Sequence, residues 1–235
     1  MSTPDIKRFY TAASARPVDG GFGIWLDERR LKTPARANFA VPSVALAEAV
    51  AAEWNAQAEK LDIPSMPLTA LVNAAIDRIA PEREAFAGRL ASYGGNDLLC
   101  YRAASPIELA VRLAKGWQPA LDWLAETHGA RLMLAEGVVH VDQPREALDR
   151  LKAAILKLDA LRLGALHVVT TATGSLGLGL AVLGGRFTPR EAFDLSRIDE
   201  EYQAERWGRD TEADARTARI RAEAENAGRF LDLLG

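Results

Sequence analysis

The sequence has very little cysteine and no leader-like start. Cys100 is its single cysteine, so no internal disulfide can form, which fits a reducing compartment. The opening stretch MSTPDIKRFY has no apolar run behind its charges, unlike a secretory signal, and it lacks the Arg- and Ser-rich pattern of an organellar presequence. We therefore expect the chain to act where it is made, in a bacterial cytoplasm or as a processed organellar form, and the sequence favours the first.

An excess of basic charge is also missing. The 235 residues include 29 Lys and Arg against 32 Asp and Glu, a formal net charge of −3. A nucleic-acid-binding domain carries a concentrated basic face, which this balance does not predict. Apolar content of 49% and charged content of 26% are instead typical of an ordinary globular protein.

Sequence motifs for metals and phosphates are absent. The three histidines (His128, His140 and His167) are far apart, and none belongs to an H-E-x-x-H pattern. Residues 177–182 lack the last glycine of the dinucleotide fingerprint, since Val182 occupies its place, and no G-x-x-x-x-G-K-[ST] occurs. We predict no metal site and no cofactor.

A catalytic nucleophile is not indicated either. Residues 173–177, TGSLG, resemble the G-x-S-x-G elbow, but Thr173 replaces the first glycine. Asp159, His167 and Ser175 are spaced like a triad on paper, yet eight helical residues separate neighbours by about 12 Å. Hydrogen-bond contact needs about 3 Å. We predict no catalytic residue and no small-molecule substrate.

The longest uncharged run is Leu163 to Gly185, which is apolar on all sides of a helical wheel and contains six glycines. Such a run is either a membrane span or an enclosed core helix. His167, three threonines, Ser175 and the absence of flanking aromatic or basic anchors favour the core. We predict one or two buried helices, interrupted near Gly174 and ended by Gly184-Gly185, and no stable membrane insertion.

The N-terminal part has the alternation of short strands. Phe22–Leu26 and Leu31–Thr33 predict an antiparallel hairpin around Asp27-Glu28-Arg29, and Arg8–Tyr10 a third strand. Apolar spacing then predicts a covering helix over Ser43–Leu61, with Ser43 as its N-cap. Two further helices are expected over 68–79 and 81–93, and NDLLCYRA (96–103) as an extended piece or a single turn.

From residue 105 the pattern is almost wholly helical. Ser105–Glu108 and Thr188–Glu191 both have the residues of a capping box. A weak hairpin is expected over Arg131–Val141, one helix over Thr188–Trp207, and a last helix capped by Asp210. The predicted class is α+β: a small N-terminal α/β domain, antiparallel strands covered by a helix (1–68), before a larger all-α domain (69–235), with the boundary between about 65 and 105.

Adjacent carboxylates at Asp199 and Glu200 lie among aromatic residues, namely Tyr202 and Trp207. Carboxylates on a partly apolar face cost free energy unless they are paired. One interpretation is an internal ion pair, with Arg197, Arg206 or Arg102 as the partner; the other is an acidic spot presented to a partner protein. Trp54 has a similar choice between core anchor and interface residue.

Blocks spread along nearly the whole chain resemble one family. They are KRFY (7–10), GFGIWLDERRLKTPAR (21–36), PSVALAEAVAAEWNAQ (42–57), MPLTALVNAAIDR (66–78), NDLLCYRA (96–103), GSLGLGLA (174–181) and IDEEYQAERWGRDTEA (198–213). The chain is similar to the ATP synthase F₁ assembly chaperones of mitochondria and alphaproteobacteria. It departs from the family pattern at the hairpin turn, where Glu28 stands in place of the usual glycine.

The resemblance implies a protein that is not an enzyme. It implies binding of the unassembled α subunit of F₁, shielding its subunit interface until β subunits displace the chaperone. It also implies that Trp54, Asp199 and Glu200 are tied to function, beside which we place Tyr202 and Trp207 as candidate partner-binding residues. Competing hypotheses are a small-molecule enzyme using Asp199 and Glu200 as acid and base in an interdomain cleft, and a generic helical scaffold.

Overall fold

A computed structural model describes residues 6–137 and 139–235, so the start of the opening stretch (1–5) lies outside the described residues. The chain forms two compact units that interleave along the sequence. Unit 1 comprises the residues up to Glu82 together with Asp159–Ala165 and Arg229–Gly235. Unit 2 comprises Arg83–Leu158 and Leu166–Gly228. The division into domains 1–68 and 69–235 stays a prediction.

Unit 1 contains an antiparallel sheet of strands β1 (Ala13–Val18), β2 (Gly21–Leu26) and β3 (Arg29–Arg30) in that order. The hairpin predicted around residue 27 is confirmed, although its second strand is Arg29–Arg30 rather than Leu31–Thr33. Asp27 takes a left-handed φ of 53°, which Asp tolerates better than most residues.

The third strand predicted at Arg8–Tyr10 is wrong; β1 takes that place in the sheet. The chain at 8–11 instead folds around the Arg8 guanidinium. Its Nη2 donates to the Thr11 carbonyl at 2.7 Å and its Nε to the Tyr10 carbonyl at 3.1 Å. A side chain that binds its own neighbouring carbonyls competes with strand pairing there.

The covering helix is confirmed as α1 (Val44–Asn55), which packs against β1 and β2. Its N-cap is Ser43, as predicted, with the Leu46 amide donating to Oγ at 3.4 Å. The helix ends at Asn55, before the predicted Leu61, and the Asn55 side-chain amide pairs with the backbone of Ala13 at 2.7 Å and 2.8 Å.

Shorter helices follow. α2 (Pro67–Ala74) continues as a π-helical turn over Ala75–Ile79, and α3 spans Arg83–Ala91. The predicted piece at 96–103 is a 3₁₀ turn (Leu98–Cys100) followed by strand β4 (Tyr101–Arg102).

α4 (Ile107–His128) and α5 (Arg145–Leu156) are the long helices of the first part of unit 2. The hairpin predicted over Arg131–Val141 is wrong in its pairing: β5 (Ala135–Glu136) runs parallel to β4 instead. The Gly137 amide donates to the Arg102 carbonyl at 2.8 Å and extends this pairing.

The long uncharged run folds as predicted, into two buried helices. α6 (Ala160–Thr173) and α7 (Leu176–Leu183) are separated by Gly174, whose φ of +69° is a left-handed conformation that suits glycine. Ser175 caps α7, accepting from the Leu178 amide at 2.9 Å. Among the described residues, no helix is both long and apolar enough to cross a bilayer.

The single helix predicted over Thr188–Trp207 is wrong: α8 (Pro189–Ser196) and α9 (Ile198–Trp207) are separate. The Leu195 carbonyl, which in a continuous helix would accept from residue 199, accepts from the Trp117 indole at 2.7 Å. α10 (Thr211–Leu234) follows, with Asp210 accepting from the Glu212 amide at 2.8 Å, as its predicted cap. The α+β class is confirmed.

Candidate functional site

Four of the five predicted site residues lie on α9. Three acidic residues, Asp199, Glu200 and Glu201, occupy its first turn, where the helix dipole favours negative charge. Trp207 is the last residue of α9, and Gly208 ends the helix with a φ of +94°. α9 therefore presents carboxylates at one end and an indole at the other.

The two predicted carboxylates differ in their partners. Arg197 pairs with Glu200, with Nη1 and Oε1 3.0 Å apart, while Asp199 accepts from the side-chain amide of Gln203 at 2.9 Å. Of the three arginines considered for this role, Arg197 is thus the one that pairs. Because both partners of that ion pair remain partly exposed, the pair contributes little to stability.

The three predicted aromatic residues lie in different environments. Trp207 is 78% exposed, whereas Tyr202 is 2% exposed and packs under α4. Trp54 is 8% exposed and belongs to the core of unit 1, where the Tyr10 hydroxyl donates to its carbonyl at 2.6 Å. Trp207 is therefore the aromatic residue of the three that a partner can reach.

An ionic cluster fixes α9 against α4. Arg206 and Arg112 both pair with Glu108, at 2.7 Å and 3.2 Å, and Arg112 also pairs with Glu205 at 2.7 Å. Hydrogen bonds from Arg206 first, and then from Arg112, lower the pKa of Glu108. The centre of the Tyr202 ring is 4.6 Å from the Arg206 guanidinium and 5.2 Å from that of Arg112.

The same cluster explains why the capping box predicted at Ser105–Glu108 is wrong. Pro106 is the N-cap residue of α4 and no side chain caps it, because the Glu108 carboxylate is held by Arg206 and Arg112 instead. The second predicted box, Thr188–Glu191, is confirmed, with reciprocal bonds of 3.2 Å and 2.8 Å.

A cleft of about 320 Å³ opens beside the carboxylates of α9. All of its lining residues belong to unit 2. The lining comprises Leu98, Tyr101, Arg102, Ala103, Leu113, Trp117, Gly137, Ser196, Asp199 and Glu200.

The burial of Arg102 in this cleft could not be predicted from the sequence. Its Nη1 donates to the Leu113 carbonyl at 2.5 Å, and its guanidinium lies 5.3 Å from the Trp117 ring centre. Its Nε and Nη2 are buried without a hydrogen-bond partner among the described residues. Burial lowers the pKa of Arg102. Isolated in sequence, one arginine gives no signal of such burial.

A second feature missed from the sequence is Asp97, which is completely buried beneath α7. Its Oδ2 accepts from the Gly177 amide at 2.9 Å and its Oδ1 from the Leu99 amide at 3.0 Å. Burial raises the pKa of Asp97, while a hydrogen bond from Ser175 opposes the rise. This carboxylate holds the residue 96–103 segment to the start of α7.

The exposed part of this surface carries one indole and two carboxylates, of Trp207, Asp199 and Glu200. An exposed indole supplies apolar contact area, and two carboxylates supply acceptors for cationic or amide groups. Within the described residues, no group of three or more His, Cys, Asp or Glu side chains is arranged to hold a metal ion.

Comparison with known proteins identifies the family. The model of the ATP12 chaperone protein family matches residues 7–125, just over half of the 235 residues. The chain belongs to the ATP12 chaperone family. It is accordingly a chaperone of ATP synthase assembly, with an ATP synthase subunit as its partner.

The chain is also similar to one curated protein and to two solved structures. Schizosaccharomyces pombe "Protein atp12, mitochondrial" is 25% identical over 220 residues, which are 88% of this chain and 76% of that protein. The crystal structure of Atp12 from Paracoccus denitrificans is 44% identical with a TM-score of 0.94, covering 98% of this chain and 99% of that one. A candidate chaperone from Agrobacterium tumefaciens is 41% identical with a TM-score of 0.92, covering 97% and 86%.

Proposed function

We propose that this protein binds the unassembled α subunit of the F₁ sector and shields its subunit interface until β subunits displace the chaperone. The observation that carries the proposal is the likeness to the Paracoccus Atp12 structure over 98% of the chain. The resemblance of the EWNAQ and DEEYQAERWG blocks supports the α subunit as the subunit bound.

The physical need for such a chaperone is simple. An α subunit without its neighbours exposes apolar surface that is normally buried between subunits, and large exposed apolar patches aggregate. A protein that covers this surface needs contact area and a few aromatic anchors, and its affinity must allow later displacement. Neither catalysis nor a small-molecule substrate is required.

We assign the α9 surface, formed by Asp199, Glu200 and Trp207, to contact with the α subunit. Trp207 supplies an aromatic anchor, and the two carboxylates supply polar contacts at its rim. Tyr202 and Trp54 are buried and support this role through the fold of their own units. The likeness to a bacterial protein supports action in a bacterial cytoplasm.

Coexpression with the α and β subunits tests this proposal. We expect more soluble α subunit when the protein is present, and loss of that effect in Glu200→Lys. Reversing this charge creates repulsion with the neighbouring Arg197 and removes an acceptor from the α9 surface. Glu126→Lys is the matched control, since Glu126 is exposed on α4 away from α9.

Circular dichroism melts separate lost binding from lost folding. Glu200→Lys and Glu126→Lys should both melt like the unmodified protein. Trp54→Arg should also lose the effect, but with a lowered melting temperature, because it buries a charge in unit 1. Equal amounts of soluble α subunit with and without the protein would contradict the proposal, as would turnover of a metabolite by the purified chain.

A further inference from the structure

A groove of about 740 Å³ lies along the first half of α10, on a different part of unit 2 from the cleft. Its lining combines three arginines and two carboxylates with small and apolar side chains. The residues are Arg197, Asp210, Glu212, Ala213, Ala215, Arg216, Thr217, Arg219 and Ile220.

The groove continues a face of α10 that is buried farther along the helix. Ala224 and Ala227 are completely buried, and Ile220 and Ala213 lie on the same helical stripe toward the N-terminus. At Ala213 and Ile220, however, the stripe faces the open groove. Residues 205–216 are all exposed. One half of this stripe is therefore packed and the other half has room for another polypeptide segment.

The charges in the groove are not balanced internally. Arg216 is exposed and Arg219 is exposed, and no carboxylate oxygen of the described residues lies within 4.0 Å of their guanidinium nitrogens. Oδ1 of Asp210 accepts from the backbone amides of Glu212 and Ala213, because Asp210 caps α10. Glu212 is a second carboxylate of the lining, so three arginines face two carboxylates and the lining has a formal net charge of +1, on a chain whose formal net charge is −3.

Arg197 connects the groove with the α9 surface. Its Nη1 pairs with Glu200 at 3.0 Å, while its Nε is buried and has no hydrogen-bond partner in the described part of the chain. Guanidinium groups bind carboxylates through paired N–H donors. An acceptor entering the groove would meet three arginines, one of which, Arg197, pairs with Glu200 of the α9 surface.

We infer that this groove binds an acidic segment of the partner subunit, whose carboxylates pair with Arg216 and Arg219 while its apolar side chains pack on Ala213 and Ile220. The inference rests on the proposed function for the identity of the partner. Charge complementarity selects an acidic polypeptide over a neutral one, and the small side chains of the lining allow its backbone to approach closely.

Titration of fluorescently labelled α subunit with the full-length chain tests the inference. The double variant Arg216→Glu/Arg219→Glu should raise the Kd by about tenfold at low salt, since two attractions become repulsions. The difference should shrink when the ionic strength is raised from about 0.05 M to about 0.3 M, because the groove is open to solvent.

The matched control is Arg131→Glu/Arg190→Glu, which changes the net charge equally at two exposed arginines outside the groove. Its Kd should stay within about twofold of that of the unmodified protein, since distant exposed charges couple weakly. Circular dichroism should show the same helix content in both double variants, because Glu and Arg have similar helix propensities.

A glutamate-rich synthetic peptide, compared with the same peptide carrying glutamine, distinguishes the possible failures. If the unmodified protein binds the α subunit and the groove variant binds it equally well, the groove inference is wrong and the proposed function stands. If the α subunit does not bind at all, the proposed function is wrong. In that case the groove inference requires that the glutamate peptide bind the unmodified protein and not the groove variant. A groove variant that instead changes only self-association in sedimentation would assign the groove to a second copy and overturn the inference.

Discussion

Two buried polar groups of unit 2 differ in how completely they are hydrogen-bonded. The Asp97 carboxylate accepts hydrogen bonds from two backbone amides and from the Ser175 hydroxyl at the start of α7. Arg102 is less well satisfied, since two of its guanidinium nitrogens are buried with no hydrogen-bond partner among the described residues. The first group stabilises the fold, and the second costs stability.

Replacing Asp97 tests its contribution. Asp97→Ala should lower the free energy of unfolding by about 2–4 kcal/mol, because it leaves the buried amides of Leu99 and Gly177 without acceptors. Urea unfolding followed by circular dichroism measures the change. Asp122→Ala, at an exposed carboxylate that accepts from the Gln118 side chain, should cost less than about 1 kcal/mol. Equal losses in the two variants would show that Asp97 has no special role.

Helices in this protein are shaped by contacts that their own sequences do not contain. The break between α8 and α9 depends on the Trp117 indole, which lies on α4 and binds the Leu195 carbonyl. α10 is similarly constrained at Gly228, where a Cβ atom would lie 1.9 Å from Cγ of Pro189 at the start of α8. Close approach of the two helices thus requires glycine at that position.

Gly228→Ala therefore measures helix packing. Alanine is the better helix former by about 1 kcal/mol, yet the clash should produce a net destabilisation of about 1–3 kcal/mol. Gly88→Ala in α3 is the matched control, since nothing lies within 4 Å of its added Cβ, and it should be neutral or stabilising by up to about 1 kcal/mol. Thermal unfolding of both variants gives the comparison; a stabilised Gly228→Ala would mean that α8 and α10 are not in tight contact.

At the scale of the whole molecule, titrating groups predict how stability depends on pH. Burial lowers the pKa of His128 and His167, so these side chains take up protons more readily in the unfolded chain. Stability should therefore fall as pH drops from about 7 through the ordinary histidine pKa near 6.5. Glu108 and Glu191 also have lowered pKa values, because of hydrogen bonds from Arg206 and from the Thr188 backbone.

The carboxylates should add a second loss of stability below about pH 4.5, since unfolding then takes up protons again. Asp97 acts in the opposite direction, because its raised pKa favours proton uptake by the folded protein. Melting temperatures between pH 7.5 and 3 measure the profile. His128→Gln/His167→Gln should flatten the fall between pH 7 and 5 and leave the fall below pH 4.5; an unchanged slope in that variant would contradict the assignment.

Patterns of local origin could be predicted from the sequence. Hydrophobic spacing and capping residues placed α1, α7 and α10, and the glycine-interrupted uncharged run predicted the division between α6 and α7. The resemblance blocks predicted the family, which the comparisons confirm. These features depend on neighbours within a few residues, or on blocks whose residues can be compared directly.

Long-range contacts decided the remainder. Three features depend on strands or side chains that are distant in sequence. They are the parallel pairing of β4 with β5, the end of α8, and the ion pairing of Glu108 with Arg206. Periodicity placed Tyr202 and Trp207 near the carboxylates, but the packing of α9 on α4 determines that Tyr202 is buried and Trp207 exposed. From the sequence by itself, the resemblance blocks determined the family, and local spacing and composition determined the α+β class and the central buried helices. Tertiary packing decided which polar groups are buried and which helix faces stay exposed, because burial depends on elements that are distant in sequence and pack against the residue.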